Sequence, residues 1–235
     1  TEELHRIAEQ LGDDVPRSCD TSNEDPRRRR RQAMHLYLGG DVPSRDSENG
    51  DTQLRAEAYQ FYLAGRFEEA LYRLKRIDVD LNCPIEAVVS AHCRAESGAR
   101  VTPELIAAVT QSNDVEAIAI QMISDWRRKD FKSALPGLLQ TLERLHDDPW
   151  VDAEILKSVF RITAQLLEFD KQQLQAAYDR IDTPLAMSRK ENVRSPLQFI
   201  LAEGLGDAAV IETLKPMEPH VPWKRWLLER RANAY

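Results

Sequence analysis

Residues 64–71 read Ala64-Gly65-Arg66-Phe67-Glu68-Glu69-Ala70-Leu71 and contain the clearest structural signal of the chain. It lies between two amphipathic runs, and its glycine permits a tight turn that a residue with a Cβ would strain. The two consecutive glutamates are typical of a helix start, where they complement the helix dipole. The stretch therefore predicts a helix, a turn and a second helix.

Small side chains flank the predicted turn. Ala58 and Ala70 let the two helices approach closely, and Phe67 covers their junction. The spacing is continued by Leu54, Phe61 and Leu74. In this pattern the residues resemble the tetratricopeptide repeat, a unit of about 34 residues built from two antiparallel helices. Glu57 stands where that family prefers leucine, and Pro84 comes two residues later than the proline that ends the family's repeat.

A single helical hairpin cannot bury its own apolar face, so the pattern requires neighbours. A partial echo lies 64 positions further on, where Phe131, Ala134, Leu135 and Leu138 repeat the order of Phe67, Ala70, Leu71 and Leu74. Residues 85–113 leave room for one divergent hairpin between them. The resemblance covers residues 51–84, with the echo at 114–149. It implies an all-α fold, an α-solenoid-like stack of antiparallel helical hairpins.

Linker and turn residues divide the chain into three predicted regions. Residues 1–50 predict N-terminal helices with acidic, partly flexible linkers, residues 51–149 the helical repeats, and residues 150–235 further helical hairpins and a C-terminal capping helix. Helix starts are predicted at Thr102-Pro103 and Ser195-Pro196, where a capping hydroxyl precedes a proline. Asp114 and Asp130 are further predicted caps.

Composition narrows the class of protein. With 9 glycines and 7% aromatic residues among 235, the chain disfavours a sheet-rich fold. No apolar run approaches the roughly 18 residues that a membrane span requires. Three cysteines cannot all pair within one chain, which favours reduced thiols and a cytoplasmic setting. The formal net charge of -7 disfavours non-specific binding to nucleic acid.

In the family that the repeat resembles, the concave groove is lined by the first helix of each repeat. The resemblance therefore implies five partner-binding residues, namely Arg55, Tyr59, Tyr62, Trp126 and Arg127. Aromatic and arginine side chains are the types that anchor partners in desolvated pockets. The alternative is that the three aromatic residues simply pack against the next helix.

Other candidate sites are weaker. The run Arg27–Arg31 could neutralise phosphates, but a solvated helix face is the simpler interpretation, because acidic residues flank it. The stretch Gly204–Ala209 fits a relaxed dinucleotide fingerprint, yet it follows a predicted helix and not a strand, so we expect a helix–glycine–helix turn. Cys83, His92 and Cys93 match no zinc spacing. The sequence predicts no metal, no cofactor and no enzyme.

The function predicted from these features is a non-catalytic protein-binding or scaffolding module, with a protein or peptide of unknown identity as its partner. The alternative is an accessory or regulatory domain of a larger enzyme or assembly. That alternative follows from the first residue, Thr1, which suggests a fragment. A third hypothesis, nucleic-acid binding through Arg27–Arg31, is disfavoured. The sequence leaves open whether a second copy of the chain covers an end of the stack.

Overall fold

A computed structural model of the protein describes residues 50–169, 171–186, 191–217 and 225–234. In these ranges the chain forms helices and no strand, which confirms the all-α class. The α-helices are α1 (Gly50–Leu63), α2 (Phe67–Leu74), α3 (Pro84–Glu96), α4 (Pro103–Ser112), α5 (Asp114–Arg127), α6 (Phe131–Arg144), α7 (Ala153–Ala164), α8 (Lys171–Ile181), α9 (Glu191–Leu205), α10 (Asp207–Leu214) and α11 (Arg225–Ala234). Two 3-10 turns, Gln165–Glu168 and Lys215–Met217, extend α7 and α10. None of the helices in the described ranges is long and apolar enough to cross a membrane.

The chain divides into two compact units, the first ending at Ser112 and the second beginning at Asn113. The predicted boundary at residues 149 and 150 falls inside the second unit, where α5 packs on α7 and α6 packs on α8. The three predicted regions stay a prediction. Residues 1–49, with the run Arg27–Arg31, lie outside the described residues.

In the first unit, α1 and α2 form the predicted helix–turn–helix. The turn has Gly65 at a φ of +70°, and Arg66 N donates to the carbonyl of Phe61 at 2.8 Å. Ala58 and Ala70 are fully buried, as close approach of the two helices requires. The side chains of α3 complete this core, and α4 packs on α3.

In the second unit, α5 and α6 are joined by an equally short turn. Asp130 N donates to the carbonyl of Asp125 at 2.9 Å, and α6 begins at Phe131. The helices α8 to α10 follow, and α11 packs on α10. Leu228 of α11 contacts a small apolar cluster that includes Phe199 and Leu214.

Two of the predicted helix starts are confirmed. Thr102 Oγ1 accepts from Leu105 N at 3.4 Å and α4 begins at Pro103. Asp130 Oδ1 accepts from Ser133 N at 3.3 Å before α6.

The other two predicted starts are wrong. Asn113, and not Asp114, caps α5, because its extended backbone lets Oδ1 accept from Glu116 N at 2.9 Å. The helix α9 begins five residues before Pro196, at Glu191. Contacts of Arg194 stabilise that first turn, because its Nη1 donates to the carbonyl of Ile181 at 2.7 Å.

The predicted helix–glycine–helix turn is confirmed at Gly206, while Gly204 lies in the last turn of α9. Leu205 ends α9, Gly206 has a φ of +119°, and Asp207 begins α10. A left-handed φ of this kind favours glycine, so the turn and not a phosphate explains the residue.

Candidate interaction site

The three predicted groove residues of the first unit lie on α1, but two of them are buried. Tyr59 and Tyr62 have exposed fractions of 2% and 1%, and both belong to the core of this unit. The hydroxyl of Tyr62 is hydrogen-bonded to Nδ1 of His92 at 3.0 Å. The tyrosines therefore occupy the packed positions that the alternative interpretation describes. Their role in partner binding stays a prediction.

Arg55, the third of these residues, is engaged inside the unit. Its Nε donates to Oε1 of Glu86 at 2.7 Å, and its Nη2 donates to the carbonyl of Asp78 at 2.9 Å. The other carboxylate oxygen of Glu86 accepts from Asp80 N at 2.9 Å. Arg55 therefore ties α1 to α3 and to the segment that leads into it.

The remaining two predicted residues end α5 in the second unit. Trp126 has an exposed fraction of 7%, and its indole Nε1 donates to Oε1 of Gln165 at 2.8 Å. The rings of Phe131 and Phe169 lie 5.0 and 5.3 Å from the Trp126 ring. Arg127 is half-buried beside it. Trp126 is thus part of a packed aromatic cluster, and partner binding by either residue stays a prediction.

The cysteine and histidine residues in α3 and directly before it lie in the interior. Cys83 and Cys93 are free thiols, and burial raises the pKa of both. His92 is fully buried next to Cys93. In the ranges that the structure describes, no three histidine, cysteine, aspartate or glutamate side chains are grouped so that they could hold a metal ion.

The loop between α6 and α7, residues 145–152, carries an exposed tryptophan. Trp150 has an exposed fraction of 74%, the largest of any big apolar side chain that the structure describes. Leu145 and Val151, at the two ends of the same loop, are buried. The loop is therefore anchored at both ends while the indole between them faces outward.

Hydrogen bonds hold the backbone on both sides of this indole. Asp148 Oδ1 accepts from Trp150 N at 2.7 Å, and Asp148 Oδ2 accepts from the side-chain amide of Asn113 at 2.7 Å. On the other side, Glu116 Oε1 accepts from Asp152 N at 2.7 Å. Both hydrogen bonds join the loop to the start of α5, at Asn113 and Glu116. The loop is thus fixed to a helix, and Trp150 is presented from a defined backbone.

Acidic side chains lie on the loop before Trp150 and at the start of α5, to which the loop is hydrogen-bonded. Asp147 and Asp148 precede Trp150 in the loop. Asp114 lies at the start of α5, next to Asn113, whose side-chain amide donates to Asp148. Arg144 contacts Asp114 across 3.2 Å. Within the described part of the chain, no cation forms an ion pair with Asp147 or Asp148.

A second exposed aromatic residue, Tyr72 on α2, lies near arginines that are paired with carboxylates. The guanidinium of Arg73 is 5.5 Å from the Tyr72 ring, and its Nε contacts Oε2 of Glu57 at 2.7 Å. Nearby, Arg66 pairs with Glu69 at 2.8 Å. The arginines here already have carboxylate partners within the same unit.

A surface cleft of about 230 Å³ lies at the ends of α6 and α8 and is lined by Glu143, His146, Asp179, Arg180 and Thr183. Its histidine is engaged with the backbone. Nδ1 of His146 lies 3.0 Å from the carbonyl of Pro184, and Nε2 contacts the carbonyl of Arg180. Both ring nitrogens lie against main-chain oxygens, and Thr183 Oγ1 lies 3.2 Å from Nδ1, so His146 packs against the end of α8 and the segment that follows it.

Sequence reasoning missed Trp150. The available signal was its position, directly after Asp147-Asp148-Pro149 and outside any apolar stripe of helical spacing. An apolar ring in a turn between two helices has no helix face to join. That position alone does not reveal whether another segment covers it.

Comparison with known proteins adds no relative: no family model, no curated protein and no solved structure matches this chain. The resemblance to the tetratricopeptide repeat therefore stays a prediction from the residues that carry it.

Proposed function

We propose that this chain is a non-catalytic protein-binding module that engages its partner through the α6–α7 loop. Its scaffold would be an α-solenoid-like stack of tetratricopeptide-like helical hairpins. The observation that carries the proposal is the exposed indole of Trp150 on a backbone tied down on both sides. This replaces the predicted groove residues as the first surface to test, since three of those five are buried.

The energetics of interfaces favour such a residue as an anchor. Tryptophan is enriched among the few residues that dominate binding free energy, because it buries a large apolar area with few rotatable bonds. A loop that is already fixed loses little conformational entropy on binding. Trp150 combines both properties, since Asp148 and Asp152 are hydrogen-bonded to residues of α5 or its cap.

The repeat scaffold is supported by the two turns that are 64 residues apart. The helices α2 and α6 begin at corresponding phenylalanines, Phe67 and Phe131. Each phenylalanine packs edge-on against the aromatic residue near the end of the preceding helix, Tyr62 or Trp126. A helical hairpin that recurs along the chain is typical of helical repeats, and the common role of such repeats is to bind other proteins.

The test is affinity capture from an extract of the source organism with the full chain as bait, read out by mass spectrometry. Three baits are compared: the wild type, Trp150→Ala, and Tyr72→Ala as a matched control that removes another exposed aromatic ring. We expect proteins retained by the wild type and by Tyr72→Ala to be lost with Trp150→Ala. Equal retention by all three baits would contradict the proposal.

A further inference from the structure

The surface around Trp150 has an uncompensated negative charge. The carboxylate of Asp148 accepts hydrogen bonds from two neutral donors, the backbone N–H of Trp150 and the side-chain amide of Asn113. Asp147 is exposed beside it. In the described ranges neither carboxylate has a cationic partner. In the folded protein, these two negative charges are therefore available to interact with solvent or with a partner.

Arg144, the last residue of α6, does not cancel this charge. Arg144 is directed at Asp114, 3.2 Å away, and both side chains are about half exposed. The pair is screened by water, so it leaves the field of the loop largely unchanged. The surface around Tyr72 differs, because its arginines are paired with Glu57 and Glu69.

An indole next to carboxylates in the chain favours one class of partner. A tryptophan face attracts cations more strongly than any other side-chain ring. A purely apolar partner would cover the indole but would also strip water from the carboxylates without replacing it. An acidic partner would be repelled. A basic side chain satisfies both features at once.

Arginine fits better than lysine. Its planar guanidinium stacks on an aromatic face while its N–H groups donate to a carboxylate in the same plane. Lysine has a compact charge without the stacking plane. The α6–α7 loop offers the ring and the acceptors within four consecutive residues, Asp147 to Trp150.

We propose that the partner segment bound at Trp150 is a basic peptide segment, with an arginine stacked on the indole and donating to Asp147 or Asp148. This inference rests on the proposed function, because it names the class of partner for the same loop.

The experiment is selection of a phage-displayed library of short random peptides on the full chain, with counter-selection on Trp150→Ala. We expect the peptides that depend on Trp150 to be enriched in arginine, and in lysine to a smaller degree. A synthetic peptide of the enriched sequence is then titrated calorimetrically against each variant.

For that peptide, Trp150→Ala should weaken binding by about thirtyfold or more. Asp147→Asn should weaken it by about twofold to fivefold, because the lost attraction is partly exposed. Glu68→Gln, which removes an exposed carboxylate elsewhere, should leave affinity unchanged. Added salt should lower affinity for the wild type more than for Asp147→Asn.

Two results would overturn the inference in different ways. Enrichment of acidic or uncharged apolar peptides that still depend on Trp150 would exclude a basic partner and leave the proposed function intact. Peptides that bind Trp150→Ala as well as the wild type, or no enrichment, would remove both the inference and the proposed loop.

Discussion

Lys129 has the same left-handed backbone conformation as Gly65, 64 residues earlier in the corresponding turn. The φ angles are 63° and 70°. Each residue donates its N–H to a carbonyl three residues before it, that of Trp126 or Tyr62, at 2.9 Å in both turns. Two hairpins with different turn residues therefore share one geometry, which glycine adopts freely and lysine adopts only under strain.

The first prediction concerns this strain. Lys129→Gly should raise the free energy of unfolding by about 1 kcal/mol, because a residue with a Cβ is strained at positive φ. Gly65→Ala is the matched control and should lower it by a similar amount. An added Cβ at Gly65 meets nothing within 4 Å, so only the backbone contributes. Urea denaturation followed by circular dichroism measures both. A destabilised Lys129→Gly variant would contradict the prediction.

The second prediction separates two tryptophans. Trp150→Ala should change the free energy of unfolding by less than about 0.5 kcal/mol, because the side chain is mostly exposed. Trp126→Ala should lower it by about 3–5 kcal/mol, since a buried indole leaves a cavity. Chemical denaturation of the two variants gives both values. A large loss of stability with Trp150→Ala would show that the indole packs against the protein itself.

The third prediction concerns thiol reactivity. Burial raises the pKa of Cys83 and Cys93, so both stay protonated and react slowly with iodoacetamide while the protein is folded. Labelling followed by peptide mass spectrometry should modify both residues only after denaturation. Rapid labelling of Cys93 in the native protein would mean that α3 is open to solvent.

The fourth prediction is a loss of stability in alkali. The Cys93 thiol ionises at an ordinary value of 9.0 when unfolded, and burial raises its pKa in the folded protein. Above about pH 9 the unfolded chain therefore loses a proton that the folded chain retains. The free energy of unfolding should fall as pH rises, by at most about 1.4 kcal/mol per pH unit for this group.

Cys93→Ala is the control for this pH dependence. It should lower stability at pH 8 through lost packing, but its free energy of unfolding should fall less steeply between pH 9 and 10 than that of the wild type. Parallel slopes for the two proteins would mean that another group is responsible.

The fifth prediction concerns His146. His146→Ala should lower the free energy of unfolding by about 1–3 kcal/mol, because it removes the contacts to the carbonyls of Pro184 and Arg180. Hydrogen exchange should increase at the end of α8. Thr183→Val removes only the contact of Thr183 Oγ1 with His146 Nδ1, at 3.2 Å, and should have a smaller effect. Unchanged exchange near Arg180 in His146→Ala would contradict this account.

Local sequence signals predicted much of the fold, and the exceptions have identifiable causes. Asp130 and Thr102 were recognised as caps because a side-chain oxygen reaches an N–H three residues ahead, and this requires no distant partner. The predicted start at Ser195-Pro196 is wrong because the turn before it is stabilised by Arg194, whose partner is the carbonyl of Ile181 at the end of α8.

The candidate site was less predictable than the fold. The predicted residues Tyr59, Tyr62 and Trp126 lie on α1 and α5, but burial depends on which other segments cover them. Tyr62 is covered by His92, 30 residues away, and Trp126 by Phe169. No local pattern encodes those contacts. The same reason applies to Trp150, which the sequence placed in a turn without showing that it stays uncovered.

Local patterns along the chain predicted the helices of the described residues, the turns at Gly65 and Gly206, and the correspondence between Phe67 and Phe131 at the starts of α2 and α6. These features depend on helical spacing, caps and turn residues, which act over a few neighbours along the chain. Only the tertiary structure decided that Arg55, Tyr62 and Trp126 are engaged internally and that Trp150 faces outward beside unpaired carboxylates. Solvent exposure and charge compensation arise from packing between distant segments, and that information is not local.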